Sequence, residues 1–334
     1  MKFLVVGLGS MGKRRIRNLI ENNIEKNHIF GFDISFDRRK EALSTYDIKI
    51  IDTMKSNNIS DIDAFIISTP PDQHLKYILM AIKNGKDFFV EASVILNGIE
   101  TIPDLITKYK LVGFPSCTMR YFEGPKKIKK IVKSDLIGKI YFWQYQSGQY
   151  LPDWHPWESY KDFYVSNPNT GGCREIVPFE LIWLTDQFGE IIHIDSKKRS
   201  LKEFSKGLDD IYLLQIYHKT NVYGQLTVDI LSRVPTRFLR ITGSKGSLLW
   251  NDEEKIIKVF NIESKNWTTH KLDDSKIEKN YINSEIPYIN EIKDFLKCIK
   301  NRKNPIYNFD EDIKILNLLK SAEVSSNKNK TIYV

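Results

Sequence analysis

The 334 residues, 41% hydrophobic and 12% aromatic, are too many for one ordinary core and enough for two domains. The formal charge of +8 is spread along the chain, and its densest cluster, Lys126 to Lys133, alternates with Ile and Val at helical spacing. That is the pattern of a solvated helix face and argues against nucleic-acid binding, though a positive field suits anionic small molecules. Cys117, Cys173 and Cys298 are too few and too far apart for a disulfide framework or a metal knuckle. No apolar run nears the ~20 residues of a membrane helix, and Met1 leads straight into the first strand. The expectation is a soluble, cytoplasmic protein with no metal, no membrane and no nucleic-acid partner.

A short apolar run from Lys2 to Gly7 reads as a strand buried on both faces. It enters the turn Gly7-Leu-Gly9-Ser10-Met11-Gly12, then a helical stretch, Lys13 to Glu21; a second apolar run, His28 to Phe32, ends in Asp33. Strand, G-x-G-x-x-G turn, helix, strand and acid form the dinucleotide-binding order. Gly7 permits the tight turn, Gly9 admits the pyrophosphate, and Gly12 lets helix and strand pack closely. Ser10 and Met11 complete the phosphate turn. Asp33 suits a ribose 2′-hydroxyl and repels a 2′-phosphate, so NAD is expected over NADP; Arg38 and Arg39 begin the next helix and are expected to face solvent.

Further along come a helix (Asp37 to Ser44), a strand (Ile48 to Ile51) and a stronger strand (Ala64 to Ser68). Asp72 is placed to cap a helix running to Asn84. Phe88 to Glu91 is a strand, Glu100 to Lys110 a helix and Leu111 to Phe114 the last strand. The alternation predicts an α/β Rossmann domain over 1–118, a doubly wound parallel sheet.

From Lys139 the texture changes. Ile140 to Gln146, Tyr212 to Tyr217, Gly224 to Ile230, Phe238 to Thr242 and Ser247 to Trp250 are strand candidates at hairpin-like spacing. Helices are expected at Arg174 to Gln187, Tyr288 to Lys300 and Asp310 to Val324. Residues 119–334 thus read as an α+β domain with a mostly antiparallel open sheet. Tyr141, Trp143 and Tyr145 on one strand face, with Leu226, Val228 and Ile230 on another, exceed what one helical layer covers. A homodimer or homotetramer built on the open sheet face follows.

The order of motifs resembles the Gfo/Idh/MocA family, which includes glucose–fructose oxidoreductase and inositol dehydrogenase. The likeness rests on Gly7 to Gly12, Ser68-Thr-Pro-Pro-Asp-Gln-His74, Glu91 at a strand end, Met119-Arg-Tyr121, Gly171-Gly172 before a helix, and Thr242-Gly-Ser-Lys-Gly-Ser247. It implies an NAD-dependent oxidoreductase with Ser68, Thr69, Pro70, His74 and Glu91 beside the cofactor and Arg120 beside the substrate. Gly148 to His155 also resembles a subgroup tied to surface-sugar biosynthesis. Two departures stand out. The family's E-K-P turn, whose lysine meets the substrate hydroxyl, reads Glu91-Ala92-Ser93 here. The family's helix aspartate and histidine, aligned on Phe188-Gly189, become Glu175 and Phe179; alignment on Gly171-Gly172 supplies no histidine either.

A different set of polar residues stands in their place. Trp154, Trp157, Tyr160 and Lys161 form a loop suited to a sugar ring, and Arg174, Glu175 and Glu180 lie on the helix. His155, which titrates near neutrality, with Glu175 and Arg174, is the expected acid–base set, Glu180 a hydroxyl partner. The three cysteines read as core residues. The leading function is an NAD-dependent oxidoreductase of a sugar or nucleotide sugar, in cell-surface glycan synthesis. The alternatives are elimination or epimerisation through transient oxidation, and a regulatory protein that binds dinucleotide or sugar without turnover.

Overall fold

The computed structural model describes residues 1–155, 158–273, 277–278 and 283–334; Trp157 lies outside them. The chain divides into two compact units, Met1–Thr118 with Glu285–Lys314, and Met119–Ser284 with Ile315–Val334.

The first unit opens with β1 (Phe3–Val6), α1 (Ser10–Glu21), β2 (Ile29–Phe32), α2 (Phe36–Tyr46), β3 (Lys49–Ile50) and α3 (Ser56–Ile59). It continues through β4 (Ala64–Ile67), α4 (His74–Lys83), β5 (Asp87–Val90), α5 (Ile102–Tyr109) and β6 (Gly113–Pro115). The sheet runs β3-β2-β1-β4-β5-β6, all parallel. β1, β4 and β5 are buried along their whole length, as non-alternating apolar strands must be when helices cover both faces. Strand order reverses between β1 and β4, the switch point outside which such sheets bind ligands. Asp72 does not cap: Pro71–Gln73 forms a 3-10 turn running into α4, whose N-cap makes no side-chain hydrogen bond.

The second unit holds α6 (Glu123–Lys133), β7 (Ile140–Gly148), α7 (Cys173–Phe188), β8 (Ile191–Arg199), β9 (Ile211–His218) and β10 (Tyr223–Asp229). β11 (Thr236–Gly243), β12 (Gly246–Asn251), β13 (Ile256–Asn261) and β14 (Asn266–Lys271) follow. α8 (Ile286–Asn301) belongs to the first unit, α9 (Phe309–Lys328) begins in the first and ends in the second, and β15 (Ile332–Tyr333) completes the second sheet. That sheet, β14-β13-β12-β11-β7-β10-β9-β8-β15, is mixed; only the β7–β10 pair is parallel.

Two expectations change here. α8 packs with the Rossmann unit, not with residues 119 onward. Its Phe295 ring lies 5.8 Å from both Phe89 and Phe114, and its Glu291 is buried among Ser116, Cys117 and Thr118. Trp143 and Tyr145 do not oppose Leu226 and Val228. Register pairs Trp143 with Gly224 and Tyr145 with Leu226, so all share the buried face. Gly224 is required there, because a Cβ would overlap the Trp143 ring. Tyr141 and Phe142 are exposed. The open face carries Phe142, Leu213, Tyr223 and Phe238 between Gln144, Gln146, Gln215 and Gln225. Among the described residues no helix is long and apolar enough to cross a membrane.

Candidate active site

In the first unit, Gly9 is the N-cap of α1, which has no side-chain cap and no acid in its first turn, so the peptide dipoles meet nothing negative from the helix itself. The glycines differ in cause. A Cβ on Gly7 (φ +89°) would lie 2.6 Å from the Ser68 carbonyl oxygen, and one on Gly12 would overlap the Gly7 carbonyl. A Cβ on Gly9 would meet only the Arg38 guanidinium, at 3.7 Å. The protein therefore leaves space at Gly9 that its own packing does not use, which fits a diphosphate against the backbone.

Asp33, 5% exposed, closes this turn: Oδ2 accepts from the Leu8 N–H at 2.7 Å and Oδ1 from Ser35 N–H at 2.8 Å. Each oxygen keeps a lone pair for a ribose hydroxyl. Arg38 leans over the turn, 3.8 Å from Asp33 and half exposed. Arg39 does not face solvent; it donates to the Asp33 carbonyl at 2.6 Å and is mostly covered. Past β4, the Thr69 hydroxyl is enclosed without a hydrogen-bond partner, and Pro70 holds an extended backbone. His74 is buried, its Nε2 2.9 Å from the Thr69 carbonyl and its Nδ1 3.4 Å from the Ser93 hydroxyl. Burial pushes its pKa down to about 4, so it stays neutral and fixes the two turns rather than touching a ligand.

Just past β5, Glu91 is held by its neighbours. Fully buried Arg15 donates Nε to Oε1 at 2.6 Å and a second nitrogen to Oε2 at 2.8 Å, and Ser68 Oγ adds a bond at 3.3 Å. Arg15 also meets Glu291 at 2.9 Å and stacks over Phe89 at 4.4 Å. One guanidinium thus balances two carboxylates. Burial outweighs it at Glu291, whose pKa is raised.

In the second unit, Gly172 (φ +63°) turns the chain into α7, and Glu175 sits in its first turn. Oε1 accepts from the Tyr164 hydroxyl at 2.8 Å, while Oε2 is enclosed without a partner. Burial raises its pKa to about 7, against the opposing pull of the Tyr164 bond. His155 Nδ1 lies 2.8 Å from Glu158, its ring stacked on Phe163 at 4.7 Å, and Phe163 stands edge-on to Tyr164 at 6.0 Å. The structure therefore sets Tyr164, which sequence reading missed, against Glu175, while His155 is held by Glu158 and Phe163. Trp154 Nε1 is enclosed without an acceptor. Tyr160 packs edge-on to Phe204, and exposed Lys161 reaches over the Tyr160 ring.

Three expected residues are committed elsewhere. Arg174 pairs with Glu323 at 2.7 Å and donates to the Asn169 carbonyl. Glu180 is fully buried, accepting from Tyr145, Ser147, Trp183 and Arg237, so it is a core acceptor and not a sugar contact. Arg120 donates to the Ile182 carbonyl and lies 3.7 Å from Asp186, fastening α7. Of the cysteines, Cys298 is partly exposed.

A parallel sheet with a glycine-cradled helix start and an acid after β2 defines a dinucleotide-binding protein with a second α+β unit. Residues 1–104 match the model of the Gfo/Idh/MocA oxidoreductase family, NAD-binding Rossmann fold. It is 27% identical over 154 residues to Oxidoreductase P35 of Formosa agariphila, 45% of this chain and 47% of that protein, so the match spans about half the relative's length. Its fold is that of levoglucosan dehydrogenase in complex with NADH (TM-score 0.83, 16% identity, 100% of this chain and 99% of that one). An oxidoreductase from Agrobacterium radiobacter with NAD+, L-tartaric acid and magnesium gives 0.87 at 12% identity, covering 100% and 98%. The myo-inositol 2-dehydrogenase of Lactobacillus plantarum gives 0.81 at 17%, covering 100% and 99%.

Proposed function

We propose that this protein is an NAD-dependent oxidoreductase of a sugar or nucleotide-sugar carbinol, with Glu175 as its acid–base group. The observation that carries the reading is the Glu175 carboxyl, one oxygen bonded and the other enclosed without a partner, poised near neutrality. The nicotinamide of such a cofactor supplies the hydride acceptor or donor. In oxidation the Glu175 carboxylate takes the hydroxyl proton as hydride leaves the same carbon; in reduction it returns that proton. His155, hydrogen-bonded to Glu158, exchanges protons with solvent, and Trp154 offers an indole N–H to a sugar oxygen. Levoglucosan and myo-inositol, named for two proteins of this fold, support a polyhydroxylated ring as substrate. The resemblance of Gly148 to His155 to a surface-sugar subgroup supports a glycan precursor as that substrate.

Reduced-cofactor absorbance against a panel of sugars and nucleotide sugars tests this. Glu175→Gln should lower turnover by about 10²-fold or more, and His155→Ala by less. Turnover that survives Glu175→Gln removes the assignment. Ala92 in the lysine position favours one other reading, a dinucleotide- and sugar-binding protein without turnover; inactivity on the whole panel with NAD bound would select it. We also propose a homodimer or homotetramer through the open sheet face, where Phe142, Leu213, Tyr223 and Phe238 are 41–57% exposed. Light scattering that gives a monomer at micromolar concentration would remove that proposal.

A further inference from the structure

We infer that Tyr164 is the positioning residue of the second-unit site: its hydroxyl engages Oε1 of Glu175 and so reserves Oε2 as the oxygen that exchanges a proton with substrate. The inference rests on the reading of Glu175 as the acid–base group, and goes beyond it by fixing which oxygen works and what holds it there.

The hydrogen bond is 2.8 Å long, and its two ends are tied to the same short piece of backbone. The Tyr164 carbonyl accepts from the Thr170 hydroxyl at 3.0 Å and from the Asn167 N–H at 3.0 Å. The next carbonyl, of Val165, accepts from the Gly172 N–H at 3.1 Å. Gly171 lies so close to Val165 that a Cβ would overlap its backbone. Gly172 then carries the left-handed φ that starts α7, and the Glu175 N–H donates back to its carbonyl at 3.2 Å. Eleven positions separate the phenol and the carboxyl along the chain, yet no long or mobile connection lies between them.

Tyrosine suits this position because its hydroxyl can donate to a carboxylate without bringing a charge. A Lys or Arg there would hold Glu175 ionised and forfeit its proton exchange near neutrality. The charged groups on the packed elements are already matched: Arg174 on α7 with Glu323 on α9, Lys198 on β8 with Asp209 before β9, and His155 with Glu158 on the loop. That leaves the phenol as the strongest local influence favouring the ionised carboxyl.

The sign follows from linkage. Glu175's folded pKa, about 7, lies above its ordinary 4.5, so the folded chain keeps a proton that the unfolded chain releases. Its contribution to stability is therefore fully present below about 4.5, falls as pH rises to about 7, and is constant beyond. Without the Tyr164 hydroxyl the ionised form loses its donor and the upper limit should move up by roughly one pH unit or more.

The test is thermal unfolding of the full chain from pH 4 to 9, for the unaltered protein and Glu175→Gln, and for Tyr164→Phe and the double variant. The difference within each pair isolates Glu175 from other titrating groups. An upward displacement of the midpoint in the Tyr164→Phe pair supports the inference; superimposable difference curves overturn it. If Tyr164→Phe does not fold, 3-fluorotyrosine at position 164, a stronger donor, should move the midpoint down, and an unmoved midpoint overturns the inference. These curves need no turnover. Loss of the catalytic reading would show as Glu175→Gln retaining activity, whatever the melting curves give.

Discussion

Replacing Arg15 with methionine would strip the countercharge from the buried Glu291 and the part-buried Glu91 at once. The thioether side chain can keep much of the aliphatic packing beneath Phe89, but three charged contacts go: 2.6 and 2.8 Å to Glu91, and 2.9 Å to Glu291. Breaking a buried pair by removing one partner costs about 3–5 kcal/mol, a large share of the 5–15 kcal/mol that holds a typical domain together. The loss should depend on pH. Glu291, whose pKa is already raised by burial, would be raised further in the variant, which lacks the guanidinium that opposes that shift. The penalty is then smallest near pH 4.5 and grows as pH rises through the raised pKa of Glu291. Arg15→Met with Glu91→Gln and Glu291→Gln should recover most of it, since no buried charge is left. All six tryptophans lie between residues 143 and 267, outside the first unit, so fluorescence would report the wrong unit. Amide hydrogen exchange in β1 and β5 reads the right one. A cost below about 1 kcal/mol at pH 8, or a cost independent of pH, would refute the reasoning.

Gly9→Val should abolish NAD binding with little change in melting temperature, because the protein leaves room for a Cβ there. Gly12→Val should lose both, because that Cβ overlaps the Gly7 carbonyl; calorimetric titration beside a melting curve separates the two outcomes. NAD should bind at least tenfold more tightly than NADP through Asp33, and Arg38→Ala should widen the gap by removing a half-exposed guanidinium beside the Asp33 carboxylate; equal or tighter NADP binding by the unaltered protein would contradict this. Ala92→Lys should give little or no gain in turnover, because α7 carries no histidine to exchange a proton with the new lysine; a clear gain in the absorbance assay would contradict this.

The Rossmann half was legible because its signals are local. Gly7 to Gly12, the acid at Asp33 and the apolar runs of β1, β4 and β5 each act within a few residues of themselves. The second unit hides more. β14 is a polar, largely exposed edge strand, and β8 turns from Ile191 to a charged Lys197-Lys198-Arg199, so neither shows clean alternation. The site residues fail for a related reason. Glu180 and Glu175 lie five positions apart on one helix and look alike in sequence. One is saturated by donors from β7 and β11, and the other is left with an open oxygen. Residue type places a carboxylate on α7; only the strands beneath it decide which one keeps an unpartnered oxygen. Arg15, likewise, sits 76 positions from Glu91, with nothing in the turn itself to announce the pairing.

The assignment of α8 to the first unit has a consequence for synthesis. Phe89, Phe114 and Arg15 find Phe295 and Glu291 only after residue 284 has been made, by which time the whole intervening segment, Met119–Ser284, has been synthesised. The nucleotide-binding sheet is therefore first in sequence but cannot be the first part completed. Its nascent form carries an uncovered aromatic face and an Arg15 with half its acidic complement until the later helix returns. A fragment ending at Thr118 should accordingly need a chaperone or aggregate, whereas the full chain should acquire dinucleotide affinity only in its last stage of folding.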